Sequence, residues 1–220
     1  MESIRTVLFD LDGTLADTAP DLKRAADHVL KDLGRRALTA EEAYRTAPLG
    51  MAAMLKASLG SGIGKYDLEK LKSSFLEYYR KSIHVETRLY PGITDILSYT
   101  REKGLAWGIV TNKPMFLTRE LIETFPELAS PAAVVAGDSV ERHKPDPEPV
   151  LKAIELTGSA PGTTLMVGDA LSDVESAVRA GARDALALWG YGSYSTAGNI
   201  AGGEFYKAAT PLDLLPLIRQ

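Results

Sequence analysis

Five short apolar runs divide the chain, at residues 6–10, 105–111, 132–137, 164–168 and 184–188. None of them alternates with polar residues. Continuous runs of this length are expected where strands are buried on both faces, as in a parallel sheet covered by helices. The stretches between them carry apolar residues at helical spacing. Residues 91–103 place Ile93, Ile96 and Leu97 on one face and end at Gly104. Residues 146–157 stop before Gly158, and residues 172–180 carry Val174, Ala177 and Val178 before Gly181. Strand and helix patterns alternate, which predicts an α/β, doubly wound (Rossmann-like) parallel sheet.

Residues 17–87 break the alternation and show no strand pattern. Thr18 and Asp21 have the spacing of a capping box, with Pro20 in the first turn and Gly34 at the far end. Thr39 and Glu42 repeat the spacing. Asp67 opens a long amphipathic stretch with Leu68, Leu71, Phe75, Leu76 and Tyr79. "GSGIGK" at 60–65 lacks the ending of a phosphate-binding loop and is expected to be a flexible connection. The expected organisation is a sheet core of residues 1–16 and 88–220 with an inserted helical cap, 17–87. An insertion after the first strand emerges at the sheet edge where such folds bind ligands, so the cap is expected to act as a lid. Within it, residues 44–55 are expected to connect two helices and to choose the substrate. Arg45 and Lys56 flank them, and Leu49, Met51 and Met54 form an apolar centre. Residues 191–204 are loop-like.

Composition narrows the partners. Of 220 residues, 45% are hydrophobic and 25% charged, ordinary for a folded chain. The net charge of −4, from 25 basic and 29 acidic residues, opposes a general nucleic-acid-binding surface. Positive charge for an anionic ligand must be gathered locally. No apolar run approaches the ~20 residues of a membrane helix. The absence of cysteine excludes disulfides, thiolate metal sites and a cysteine nucleophile. Residues 1–10 lack a signal-peptide pattern, so a cytoplasmic monomer or homodimer is expected.

The first apolar run ends in "FDLDGT", two aspartates two residues apart and then a glycine. Like charges this close, beside an apolar core, are costly unless a cation compensates them. In a parallel sheet the strand C-termini share one edge, so other polar residues gather there. "VTNKP" brings Thr111 and Asn112, "RHKPDP" brings Lys144, and "VGDALSD" brings Asp169 and Asp173. Asp10, Asp12 and Asp169 offer the hard oxygen ligands that suit Mg²⁺. Lys144, Thr111, Asn112 and the backbone N–H groups near Gly13 suit a phosphoryl group. An aspartate can attack phosphorus, and a second carboxylate can move the leaving group's proton.

"FDLDGTLAD", "VTNKP", "KPDPEP" and "VGDALSD" resemble, in order, the four motifs of haloacid dehalogenase superfamily phosphatases, and the resemblance spans nearly the whole chain. It implies that Asp10 is the nucleophile and a Mg²⁺ ligand. Asp12 would be the general acid/base and lend its backbone carbonyl to the metal. Gly13, Thr111 and Asn112 would meet the phosphate, and Lys144 would neutralise nucleophile and phosphate. Asp169 would hold Mg²⁺, and Asp173 would orient Lys144 or a metal-bound water while capping its own helix. The dehalogenases that name the superfamily lack the second aspartate, so Asp12 indicates phosphoryl chemistry.

Phosphoglycolate phosphatases look closest, through "DTAPDL", "RLYPGI" and "GDSVERHKPDPEPVL"; N-acetylmuramic acid 6-phosphate phosphatases resemble the chain through "LEYYRKSIHVETRLYPG" and "WGIVTNKP". The expected activity is Mg²⁺-dependent hydrolysis of a small phosphorylated metabolite, first 2-phosphoglycolate. A sugar phosphate, a mutase reaction and a silent binding protein are the alternatives. Outside the motifs, Lys113 and Arg142 are expected to be rim charges. His28 and His84 are expected to be structural and Trp107 and Trp189 core; His143, adjoining Lys144, is a minor candidate for substrate contact.

Overall fold

The computed structural model describes residues 2–191 and 205–219. Beyond Tyr191, the loop expected at 191–204 lies outside the described residues. The chain divides into two compact units, Met1–Ala16 with Leu89–Gln220, and Asp17–Arg88.

The first unit is built on a six-stranded parallel sheet. In chain order its strands are β1 (Thr6–Phe9), β4 (Ala106–Val110), β5 (Ala133–Val135), β6 (Thr164–Gly168), β7 (Arg183–Ala187) and β8 (Tyr206–Ala208). In space they run β5-β4-β1-β6-β7-β8. Two very short strands, β2 (Ala16–Asp17) and β3 (Arg88–Leu89), pair with each other where the chain leaves and re-enters this unit. Each apolar run in the sequence becomes one of the first five strands of the sheet. β8 escapes the pattern because its three residues include the exposed Lys207.

β1 is central, pairing with β4 on one side and β6 on the other. The strand order reverses at β1, and the crevice at such a reversal is where open α/β sheets hold ligands. Val7, Leu8 and Phe9 are wholly buried. Leu8 joins Val110, Val135 and Met166 in a cluster closed by Val150 and Ile154 of α7 (Glu148–Thr157) and by Ala177 of α8 (Leu171–Arg179). Truncating a leucine so placed costs about 2–5 kcal/mol. α5 (Ile93–Glu102) packs on β4 with Ile93, Ile96 and Leu97 buried. α6 (Met115–Ile122) was not expected; its buried face is only Leu117, Thr118 and Leu121, too short to show a clear period.

The second unit is helical: α1 (Ala19–Asp32), α2 (Ala40–Thr46), α3 (Met51–Leu59) and α4 (Leu68–Lys81). α1 packs against the other three. Thr39 and Glu42 form the expected capping box, with Glu42 N donating to Thr39 Oγ1 and Thr39 N donating to Glu42 Oε2. Asp67 caps α4 through Glu69 N and Lys70 N.

Three local expectations fail. Thr18 makes no side-chain cap: its backbone is already helical, at φ −99° and ψ −7°, and the Asp21 carboxylate that would complete the box is taken up by backbone N–H groups at 85–87. Residues 60–65 are a 3-10 helix rather than an irregular linker. Residues 44–55 are not a connection: they hold the end of α2, a 3-10 turn at Ala47–Leu49 and the start of α3. Gly50, at φ +82°, allows the chain to enter α3 directly after that turn. Among the described residues, no helix is long and apolar enough to cross a membrane.

Candidate active site

Asp10 follows β1 and donates its N–H to Val167 O at 2.9 Å, which carries the β1–β6 ladder one residue past the strand. The chain then turns sharply. Leu11 N caps the Asp10 carboxylate at 2.8 Å, and Leu15 N and Ala16 N both reach Leu11 O. Gly13 sits in this turn at φ +83°. Its N–H donates to Ala16 O at 2.9 Å, so that donor closes the turn. The glycine matters for its missing side chain as well, since a Cβ would lie 2.4 Å from Asp169 Oδ2.

Lys144 stands beside Asp10. It is buried, and its Nζ lies 3.0 Å from Asp10 Oδ1, 2.6 Å from Asp173 Oδ1 and 2.7 Å from Val110 O. The Lys144–Pro145 peptide is cis. Asp173 serves two partners: Oδ1 faces Lys144 while Oδ2 accepts Ala170 N at the start of α8. Asn112 brackets the lysine's backbone, with its Nδ2 donating to Lys144 O at 3.1 Å and its Oδ1 accepting Lys144 N at 3.2 Å. The carboxamide expected near a phosphate is thus engaged in holding Lys144.

Thr111 follows β4, buried, and its Oγ1 accepts Lys113 N. Asp169 follows β6, 1% exposed, and its Oδ1 accepts Thr14 Oγ1 at 3.2 Å. Asp12 turns its side chain the other way, to Lys113. The Lys113 Nζ lies 2.8 Å from Asp12 Oδ1 and 3.2 Å from Oδ2. Lys113 is therefore no rim charge. Arg142 is one, exposed and paired with Asp146 and Glu148, and His143 is exposed beside it.

Electrostatics follow from this crowding. Burial pushes the Asp10 carboxyl up to about 7; Lys144 opposes the shift, and Asp173 and Asp12 add to it. For Lys144, burial disfavours the charge, but Asp10 and Asp173 outweigh it and hold the ammonium above the usual lysine value. Asp10, Asp12, Asp169 and Asp173 are gathered with two lysines, which leaves negative charge uncompensated. Asp10, Asp169 and Asp173 each bring a carboxylate oxygen within 4.8 Å of the others. Hard oxygen donors with surplus negative charge fit a divalent cation such as Mg²⁺.

One contributor was expected only as core and loop. After β7, Trp189, Gly190 and Tyr191 close on the aspartate turn. The Trp189 indole donates to Thr14 O at 2.9 Å, so this tryptophan is not simply core, unlike the buried Trp107. A Cβ on Gly190 would sit 1.9 Å from Gly13 O. Tyr191 is buried against Gly13. The signal was present in "WGYG", aromatics and glycines alternating just past the fifth apolar run.

Residues 7–187 match the family model described as haloacid dehalogenase-like hydrolase. A phosphoglycolate phosphatase of Nitrosospira multiformis is 38% identical over 192 residues, 86% of this chain and 85% of that one. An N-acetylmuramic acid 6-phosphate phosphatase of Pseudomonas aeruginosa is 35% identical over 188 residues, 86% of this chain and 83% of that one. A crystal structure from Haemophilus somnus, described as a predicted phosphoglycolate phosphatase, shares the fold with a TM-score of 0.87 and 24% identity over the whole of both chains.

Proposed function

The chain belongs to the haloacid dehalogenase-like hydrolases and is a phosphoric monoester hydrolase of that family, and on this premise we propose that it hydrolyses small phosphorylated metabolites through an aspartyl-phosphate on Asp10. One observation carries the reading: a half-buried carboxylate at the end of β1 lies 3.0 Å from the Lys144 ammonium, with a second carboxylate two residues on.

In the proposed reaction Asp10 attacks phosphorus and the ester oxygen departs. Asp12 gives that oxygen a proton. Water then attacks the aspartyl-phosphate, Asp12 takes the water's proton, and phosphate and the free Asp10 carboxylate are regenerated. Lys144 balances charge on Asp10 and the phosphoryl group, held in place by Asp173 and Asn112. Thr111 offers a hydroxyl to the phosphoryl oxygens, and Gly13 lets the turn approach Asp169. Asp10, Asp169 and the Asp12 backbone carbonyl would hold Mg²⁺, which would supply positive charge to ease the approach of two anions.

For substrate we propose 2-phosphoglycolate, supported by the 38% identical relative of that activity. N-acetylmuramic acid 6-phosphate is the second reading, supported by the 35% identical relative and by the apolar character of Leu49, Met51 and Met54. The inserted unit is proposed to discriminate between them. A cytoplasmic location, as monomer or homodimer, completes the proposal. The test is phosphate release from a panel of phosphomonoesters with Mg²⁺ and with chelator. The expected result is Mg²⁺-dependent release ranked with one of these two substrates first. Undiminished release in chelator would refute the metal, and no release from any ester would refute the activity.

A further inference from the structure

Each of the two aspartates in the first turn has its own buried lysine. Lys144 serves Asp10, as described. Lys113 reaches Asp12, and its side chain is 5% exposed against 23% for Asp12. The lysine is the fixed member of this pair. Its N–H donates to Thr111 Oγ1 at 3.2 Å, and its carbonyl accepts Gly137 N at 2.9 Å and Thr118 Oγ1 at 3.4 Å. Gly137 presses on the same segment so closely that a Cβ there would lie 2.4 Å from Asn112 O. The backbone at 111–113 is clamped, the lysine stem is buried, and the ammonium has little freedom. Asp12 is the more open group, in the tight turn that follows β1.

Resting on the proposed reaction, we infer that Lys113 is a positioning residue: it holds the Asp12 carboxylate, by both oxygens, where that group exchanges a proton with the leaving oxygen and then with water. A general acid contributes only when its proton lies within hydrogen-bond reach of the departing atom. A carboxylate with free rotation about two bonds spends much of its time elsewhere. The buried ammonium 2.8 and 3.2 Å from its two oxygens restricts both torsions. No bond to Lys113 forms or breaks in this role, and the lysine keeps its proton throughout.

The role predicts a signature that phosphate binding or general structural support would lack. An alkyl phosphate needs its leaving oxygen protonated; 2,4-dinitrophenyl phosphate does not. In rapid-quench single turnovers with Mg²⁺, Lys113→Met should slow phosphoenzyme formation from 2-phosphoglycolate by roughly 10²-fold and from the dinitrophenyl ester by under about threefold. Lys113→Arg should give a smaller loss with the same dependence on leaving group, so the test does not hang on one variant folding. The double variant Asp12→Asn/Lys113→Met should be no slower than Asp12→Asn alone, because two residues acting as one unit are not additive. Equal losses with both esters, or multiplying losses in the double variant, would overturn the role of Lys113. Absence of a phosphoenzyme in the wild-type protein would overturn the proposed reaction, and the inference with it.

Discussion

Two aspartates, one in each unit, are treated in opposite ways. Asp21, in the inserted unit, is wholly buried and surrounded by donors. It accepts Val85 N at 3.0 Å, Glu86 N at 3.0 and 3.1 Å, Thr87 N at 2.8 Å and Thr87 Oγ1 at 2.7 Å. Neutral groups make all of these hydrogen bonds, with the Arg24 guanidinium more distant at 3.9 Å, and it ties the chain after α4 back to α1. Asp10, in the sheet unit, has Leu11 N and the Lys144 ammonium, and shares its surroundings with three further carboxylates. A carboxylate saturated by backbone donors has no need of a cation and builds structure. One left short of positive charge is poised to recruit it.

The sharpest way to break this contrast is to neutralise each aspartate in turn. Asp10→Asn should lower turnover by at least about 10⁴-fold in a phosphate-release assay, since it removes the group proposed to attack phosphorus. Its far-UV circular dichroism should match the wild type, because shape and most packing survive. Asp21→Ala should do the reverse. It strands several buried donors and should cost about 3 kcal/mol in denaturant unfolding. Mg²⁺ affinity, measured by calorimetry, should stay unchanged in Asp21→Ala and fall in Asp10→Asn. Loss of Mg²⁺ affinity in both variants would erase the distinction.

A subtler test uses pH. In the folded, metal-free protein the Asp10 pKa is raised from 3.8 to about 7. A raised carboxyl pKa means that the native state holds the proton more tightly than the unfolded one. The contribution of Asp10 to stability is therefore complete below about pH 4 and is lost as pH rises through about 7. Thermal unfolding in chelator, compared between wild type and Asp10→Asn from pH 4 to 8, should show the wild type losing ground across that window. Added Mg²⁺ should restore it most at the alkaline end, where no proton competes. Parallel curves for the two proteins would mean that burial does not shift Asp10.

The smallest effect belongs to the surface of the inserted unit. Thr39→Ala removes one side of the capping box of α2 and should lower stability by about 1 kcal/mol, read as a modest drop in melting temperature. Turnover should not change. A loss of activity there would mean that the inserted unit carries chemistry beyond substrate choice.

The strands were legible because buried parallel strands are apolar without interruption, so the runs at 6–10 and 164–168 announce β1 and β6 directly. The polar residues that end them were legible for the same reason, as charge at the end of an apolar run stands out. The partners of those residues were not. Nothing in "TNKP" distinguishes a lysine aimed into the site from one aimed at solvent, because that depends on Gly137 pressing residues 111–113 into place. Asp21 sat at a capping distance from Thr18, and only the chain's return at 85–87, far along the sequence, reveals its real donors. α3 hid behind the glycines on either side of it. Local chemistry fixes element type; long-range contacts decide where each side chain spends its charge.

The glycines around the site also bear on how this protein changes over generations. A methyl group at Gly13, Gly137, Gly168 or Gly190 would come within 2.4 Å or less of a neighbouring atom. At Gly137 and Gly190 the atom met is backbone, and at Gly13 and Gly168 it is the side chain of Asp169 or Asp173, so a replacement must displace that backbone or an acidic group of the site. A library meant to widen the substrate range should leave those codons untouched and spend its diversity on side chains that face open space. Selection for new activity on this scaffold runs around a rigid floor, and the floor is made of residues with nothing to mutate but their emptiness.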